Sequence, residues 1–165
     1  MKTKMKKLIS IKSILILALT LLIVLGTALA DSVREPVSGS GSATLNPENG
    51  LFEGSVDITI AGEEFEDIPF AVTLLTPLIP NEEGVFHIKA THTFNFGDEN
   101  TFTTNDKGIA DPTDMPGLYN LNENLTITTG TGDFEGASGV LHIHGKLDLR
   151  GLPSASFDVH GVISR

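Results

Sequence analysis

The chain has 165 residues without cysteine or tryptophan, and its 21 acidic residues outnumber the 11 basic ones. A strongly acidic domain repels nucleic acid and anionic membrane surfaces, so neither is an expected partner. Without cysteine no disulfide can form, and the folded state must be held together by its core. The sequence contains no phosphate-binding loop or histidine-rich zinc motif, so no cofactor is expected.

The first 30 residues have the layout of a secretory signal peptide. Lysines at positions 2, 4, 6, 7 and 12 precede an apolar run over residues 14–25, and Ala28-Leu29-Ala30 follows as a small-residue cleavage site. The alternative is an uncleaved membrane anchor, because residues 14–30 are only slightly shorter than a spanning helix. Cleavage after Ala30 predicts a secreted protein, extracellular or periplasmic, with no remaining membrane attachment. Six basic and 21 acidic residues would then give it a net charge of −15.

Residues 31–37 are polar and are expected to form a mobile lead-in, which leaves residues 38–165 for one folded domain. Apolar and polar residues then alternate with a period of two in four segments bounded by glycine or proline turns. These predicted strands cover residues 38–45, 52–60, 65–75 and 85–96. Pro69 interrupts the third segment and indicates an edge strand or a bulge.

The second half of the domain continues the all-strand pattern. A short return strand over residues 101–104 precedes a predicted loop over residues 105–117, which contains Asp106, Asp111 and Asp114. Such carboxylates are typical calcium ligands, but their spacing matches no calcium-binding loop, and solvation is the simpler interpretation. Alternation resumes over residues 119–129, and a hairpin follows over residues 140–149 and 155–163. Seven or eight strands with no helical period predict an all-β sandwich or a closed antiparallel barrel.

A glycine-rich connection joins the last predicted strands and surrounds one large apolar side chain. It contains Gly130, Gly132, Phe134, Gly136 and Gly139. Glycine tolerates positive φ and close backbone approach, so the spacing predicts a tight connection that turns Phe134 and Ala137 into one end of the sheet. The pattern Gly-Thr-Gly-x-Phe-x-Gly-Ala-x-Gly resembles the signature of the allene oxide cyclase and dirigent barrels. This resemblance implies one calycin-like antiparallel β-barrel of about eight strands.

The resemblance also implies two kinds of function. Allene oxide cyclases are thought to steer a reactive epoxide inside an apolar barrel, assisted by a glutamate and by polar groups that hold a water. Dirigent proteins use aspartates and an arginine at the cavity. No flanking motif carries those residues to positions in this chain, so no catalytic residue is assigned. We therefore expect a non-enzymatic secreted barrel that binds a small apolar molecule or serves as an extracellular module. The alternative is an isomerase or cyclase acting on a reactive apolar substrate.

Two ionisable residues fall on apolar faces of the predicted strands. Alternation places His92 and Glu123 among apolar neighbours, where a charge is costly unless it is paired. Both would then belong to a ligand cavity. The candidate cavity residues are His92, Glu123, Phe86, Phe94, Phe96 and Tyr119. The competing interpretation is that His92 donates to a backbone carbonyl and that Glu123 lies at the rim. An open interior would favour the enzyme, whereas eight strands filled by side chains would leave only surface roles.

The last hairpin brings histidines together on one face. A turn centred on Leu152 would place His144 opposite His160 and Lys146 opposite Asp158, within about 5 Å between Cβ atoms. With His142, this makes His144 and His160 weak metal-ligand candidates, the alternative being a solvated outer face.

A homo-oligomer is a further expectation. The outward Val85 and Val162 and the apolar residues 74–75 and 78–79 are candidates for an association patch.

Overall fold

The computed structural model describes residues 33–165, which form an eight-stranded antiparallel barrel. The strands are β1 (Arg34–Leu45), β2 (Phe52–Ile60), β3 (Glu63–Leu74), β4 (Phe86–Asn95), β5 (Thr101–Pro112), β6 (Leu118–Thr131), β7 (Ser138–Asp148) and β8 (Ser154–Ser164). Each strand pairs with the next, and β8 pairs with β1, so the sheet closes on itself. The predicted all-β antiparallel barrel is confirmed. The predicted signal peptide over residues 1–30 lies outside the described residues, and within residues 33–165 no helix has the length and hydropathy of a membrane span.

The first strand begins at Arg34, so most of the lead-in predicted over residues 31–37 belongs to the barrel. Arg34 pairs with Ser164 of β8, and Val37 is buried between Ile60 of β2 and Gly161 of β8. The polar composition of residues 34–37 gave no sign of a strand. β1 is hydrogen-bonded to both β2 and β8, so it needs few apolar side chains. Closing the barrel requires β1 to match the length of β8, so residues 34–37 belong to the folded domain.

The loop predicted over residues 105–117 is also wrong, because β5 continues to Pro112. Phe102, Thr104, Asp106 and Ala110 are all buried and alternate with more exposed positions. The long β4 requires a partner of similar length, since an unpaired edge would leave its backbone N–H and C=O groups exposed. Residues 113–117 remain as the connection, and Asp106 lies inside the barrel instead of in an acidic surface loop.

An irregularity separates the two halves of β3. The β2–β3 register shifts between Val56 and Ile58, and Asp67 adopts a φ of 52°. Its backbone N–H donates to Oδ1 of Asp57 at 2.9 Å. Pro69 follows this bulge and comes one residue before the β3–β4 pairing begins at Phe70. Pro69 therefore lies just after the bulge, on a part of β3 that has no partner in β4.

One end of the barrel, called here the closed end, is filled by aromatic side chains. The 3₁₀ turn Gly132–Phe134 directs Phe134 inward, where its ring lies 4.6 Å from Phe96 and 5.3 Å from Phe102 between centroids. Ala137 is buried beside the same turn. Gly130 is required here, because a Cβ at that position would lie 2.0 Å from the carbonyl oxygen of Phe134. The glycine-rich connection thus closes one end of the barrel.

The outward apolar residues occupy two separate places. Leu75 and Ile79 are exposed in the loop of residues 75–85, whereas Val162 is exposed on the wall next to Val140 of β7. Leu74, Leu78 and Val85 are partly buried. These residues do not form one continuous patch, and a homo-oligomer remains an expectation.

Removing the aromatic ring at the closed end should destabilise the barrel strongly. Phe134→Ala deletes a side chain that is 1% exposed, and we expect a loss of about 3–5 kcal/mol in the free energy of unfolding. Leu152→Ala, in a hairpin tip where Leu152 is 56% exposed, should change it by less than about 0.5 kcal/mol. Urea denaturation measures both, and equal midpoints for the two variants would contradict the role given to Phe134.

Candidate functional site

A cavity of about 50 Å³ opens at the other end of the barrel, called here the mouth. The mouth is formed by the loops of residues 46–51, 75–85, 113–117 and 149–153. From there the cavity extends past Leu74 and Leu147 to the middle of the barrel. Among its lining residues, His92 and Glu123 are the two that carry polar side chains, and all others are apolar. The interior is therefore filled at one end and open at the other.

The two polar lining residues come from different strands. His92 lies on β4 and Glu123 on β6, and their residues are 3% and 7% exposed. The other candidate cavity residues lie elsewhere in the interior. Phe96 packs at the closed end, and Phe94 is buried beside Phe102. Phe86 and Tyr119 contact each other edge to face at 4.9 Å between ring centroids.

A third ionisable residue, missed in the sequence, completes this group. Nδ1 of His92 lies 2.8 Å from Oδ2 of Asp106, whose residue is 0% exposed. Asp106 comes from the part of β5 that the sequence predicts as a loop. Its second carboxyl oxygen, Oδ1, is buried and has no hydrogen-bond partner among the residues that the structure describes. His92, Asp106 and Glu123 are called the buried polar cluster below.

The backbone around His92 is held by a side chain. The β4–β5 ladder pairs Ala90 with Asp106 and Thr93 with Thr103, and it is interrupted between those pairs. There the backbone N–H of His92 donates to Oγ1 of Thr104 at 3.2 Å. Thr104 is fully buried, so its hydroxyl satisfies a donor that the ladder leaves free.

The imidazole ring of His92 is also fixed by its aromatic neighbours. The rings of Phe70 and Phe94 lie 5.9 Å and 5.8 Å from it between centroids, and all three are nearly parallel. Together with the Asp106 contact, this stacking holds the ring in one orientation. Because Asp106 binds Nδ1, Nε2 is the ring nitrogen that remains for a ligand.

Glu123 is placed by a glycine on the neighbouring strand. Gly108 of β5 is its cross-strand partner, and a Cβ at residue 108 would lie 2.5 Å from Cγ of Glu123. Burial raises the pKa of the Glu123 carboxyl above its ordinary value of 4.5; the charge of His92 lowers this pKa, and that of Asp106 raises it. A carboxyl group in such surroundings can hold or release a proton inside an apolar cavity.

The outer histidines pair differently from the prediction. His142 lies opposite His160, and His144 lies opposite Asp158, so the predicted register is wrong by two residues. The ring of His160 is nevertheless 5.4 Å from that of His142 and 5.2 Å from that of His144 between centroids.

Side chains of β6 engage two of these rings. Nδ1 of His142 binds Oδ1 of Asn124, and Nδ1 of His144 binds Oδ1 of Asn122. Within residues 33–165 no group of three histidine, aspartate or glutamate side chains is arranged to hold a metal ion. The three histidines lie on the outer wall, where their neighbours include Asn122 and Asn124.

The fold and the site together define a class of protein. It is a closed eight-stranded antiparallel barrel with an apolar cavity open at one end and a buried polar cluster at the inner end of that cavity. No protein-family model, curated protein or solved structure matches the chain.

The buried carboxyl of Glu123 should make the stability of the barrel depend on pH. Because its pKa is raised in the folded state, the folded protein binds more protons than the unfolded one between pH 4.5 and the raised pKa. The contribution of Glu123 is therefore fully favourable below pH 4.5 and is lost as the pH rises through that interval. This titration changes the free energy of unfolding by at most about 1.4 kcal/mol per pH unit.

Glu123→Gln should remove this loss of stability at higher pH, since the amide does not ionise. Relative to the wild type, the variant should become more stable as the pH rises from 4.5 to 8, as measured by urea denaturation at several pH values. Glu135→Gln, in the exposed turn after Phe134, provides the matched control and should follow the wild type at every pH. If the two variants show the same pH dependence, Glu123 does not titrate in a buried site.

Proposed function

We propose that this barrel binds a small, mainly apolar molecule in the cavity at its mouth, as a secreted and non-enzymatic protein. The composition of the cavity lining carries this proposal, because apolar side chains surround just two polar groups, His92 and Glu123. Ligand sites in proteins commonly combine an apolar lining with a few polar groups that orient the ligand. A barrel that served as an inert extracellular module would need neither the cavity nor the buried cluster.

The size of the cavity limits the ligand. A water molecule needs about 10–15 Å³ by the same measure, so 50 Å³ accommodates roughly four groups of that size. A chain of about four or five non-hydrogen atoms is therefore the largest that enters without movement of the protein. A longer ligand would have to displace Leu74 or Leu78, which line the cavity and are only half-buried.

An isomerase or cyclase is the second candidate function. It is favoured by the buried polar cluster, in which Glu123 could exchange a proton with a substrate while His92, held by Asp106, orients it. The resemblance of residues 130–139 to the allene oxide cyclase signature points in the same direction. Binding remains the better supported proposal, because the small cavity exposes few polar groups to a substrate.

A short neutral alcohol tests the binding proposal. Titration of 1-butanol into the ¹⁵N-labelled protein should shift the amide resonances of Leu121 and Ile143, which line the cavity, with a Kd of about 1 mM. Resonances of Asn122 and His144 on the outer wall should stay unchanged.

The matched variant fills the cavity. Ala155→Leu places a larger side chain in the lining near the mouth and should weaken 1-butanol binding at least tenfold. Leu152→Ala, outside the cavity, should leave it unchanged. Equal shifts in the wild type and the Ala155→Leu protein would show that the alcohol binds elsewhere and would overturn the proposal.

A further inference from the structure

We infer that the ligand of this cavity is a short aliphatic amine whose ammonium group binds the carboxylate of Glu123. The inference rests on the proposed binding function and specifies the chemical class of the ligand. It follows from three properties of the buried polar cluster: its balance of donors and acceptors, its charge and the apolar surroundings in which it lies.

The cluster contains more hydrogen-bond acceptors than donors. A carboxyl group only accepts hydrogen bonds once it is ionised, and the cluster includes two carboxyl groups, those of Asp106 and Glu123. Within the cluster, Nδ1 of His92 contacts Oδ2 of Asp106. Oδ1 of Asp106 has no partner among the described residues, but Asp106 does not line the cavity, whereas Glu123 does. Since buried polar groups are nearly always satisfied, a ligand that reaches the Glu123 carboxylate should donate hydrogen bonds to it.

Once Glu123 is ionised, the charge of the cluster also favours a cation. An imidazolium at His92 would balance only Asp106, and Glu123, when ionised, would still leave one negative charge uncompensated. The cavity lining includes no lysine or arginine that could pair with it. An unpaired charge in apolar surroundings is costly, and a monovalent cation in contact with it reduces that cost. A carboxylate ligand would add a like charge, and an alcohol would leave the charge in place.

The rest of the cavity suits the alkyl part of such an amine. Beyond the polar cluster the lining is formed by apolar side chains such as Val72, Ile88 and Leu121. A chain of three or four carbons can lie against them while its amino group reaches Glu123. Gly108 helps to fix the carboxyl, because it leaves the space that Cγ of Glu123 occupies.

Binding of an ammonium group should depend on pH in a defined direction. Burial raises the pKa of Glu123, so at acid pH the carboxyl is protonated and offers no charge to the ligand. Affinity for the amine should therefore rise as the pH increases through that raised pKa. It should fall again only when the amine loses its own proton, near pH 10 for an aliphatic amine.

Three ligands of matched chain length provide the experiment. At pH 8, calorimetry or NMR titration should show n-butylamine binding at least tenfold more tightly than 1-butanol, whereas butyrate should not bind. Glu123→Gln should abolish this preference for the amine, so that n-butylamine binds no more tightly than 1-butanol. Glu135→Gln, at an exposed position, should preserve the preference.

The possible outcomes separate the inference from the proposed function. If 1-butanol binds in the cavity as tightly as n-butylamine, or if butyrate binds best, the amine assignment is wrong and the binding function stands. If none of the three shifts the cavity resonances, the cavity holds only water and both fail. Should Glu123→Gln not fold, the wild type still decides the question, because an n-butylamine affinity that does not rise with pH above 4.5 overturns the inference.

Discussion

The pairing of β8 with β1 is the constraint on which the rest of the structure depends. It closes the sheet, so every second side chain of all eight strands must fit into one interior of limited width. The first strand meets this requirement with glycines. A Cβ at Gly39 would lie 2.2 Å from the carbonyl oxygen of Asp57, and one at Gly41 would lie 3.0 Å from the ring of Phe157. Small residues on β1 therefore make room for large residues on its neighbours.

This limited interior is divided into three layers along the barrel. The rings of Phe96, Phe102 and Phe134 fill the closed end, the buried polar cluster occupies the middle, and the apolar cavity leads to the mouth. The middle layer is not explained by stability. Buried ion pairs are often no more stabilising than apolar residues of the same volume, and Glu123 adds a further ionisable group. The position of the buried polar cluster between two apolar layers is the main structural reason to propose a ligand there.

The sequence predicted parts of this arrangement from alternation alone. His92 and Glu123 were found because each has apolar residues two positions away on both sides, which places it on an interior face. Asp106 was missed because Asn105-Asp106-Lys107-Gly108 contains only polar and turn-forming residues. The length of β4 was the available signal. β4 has ten residues, and a β5 that pairs with all of it must continue beyond residue 104.

The last hairpin shows a different limit. Alternation assigned its faces correctly, but the turn determines which residues pair. Oδ1 of Asp148 accepts the backbone N–H of Arg150 at 3.0 Å in this turn, whose centre is at Gly151 instead of Leu152. Moving the centre by one residue changes the pairing by two, and a shift of two keeps each side chain on the same face. The histidines therefore lie on the predicted outer wall with different neighbours.

The closed end also determines how a ligand would be oriented. The guanidinium of Arg165 lies 5.4 Å from the centroid of the Phe134 ring, and its Nε donates to Glu35 at 2.8 Å, so Arg165 covers the aromatic layer. A ligand of the proposed kind would therefore enter at the mouth and pass apolar side chains before it reached His92 and Glu123. The polar group of the ligand must enter first, and its apolar chain must follow. This order requires the polar group to shed its water before it reaches Glu123, so the carboxyl has to replace those lost hydrogen bonds for binding to be favourable.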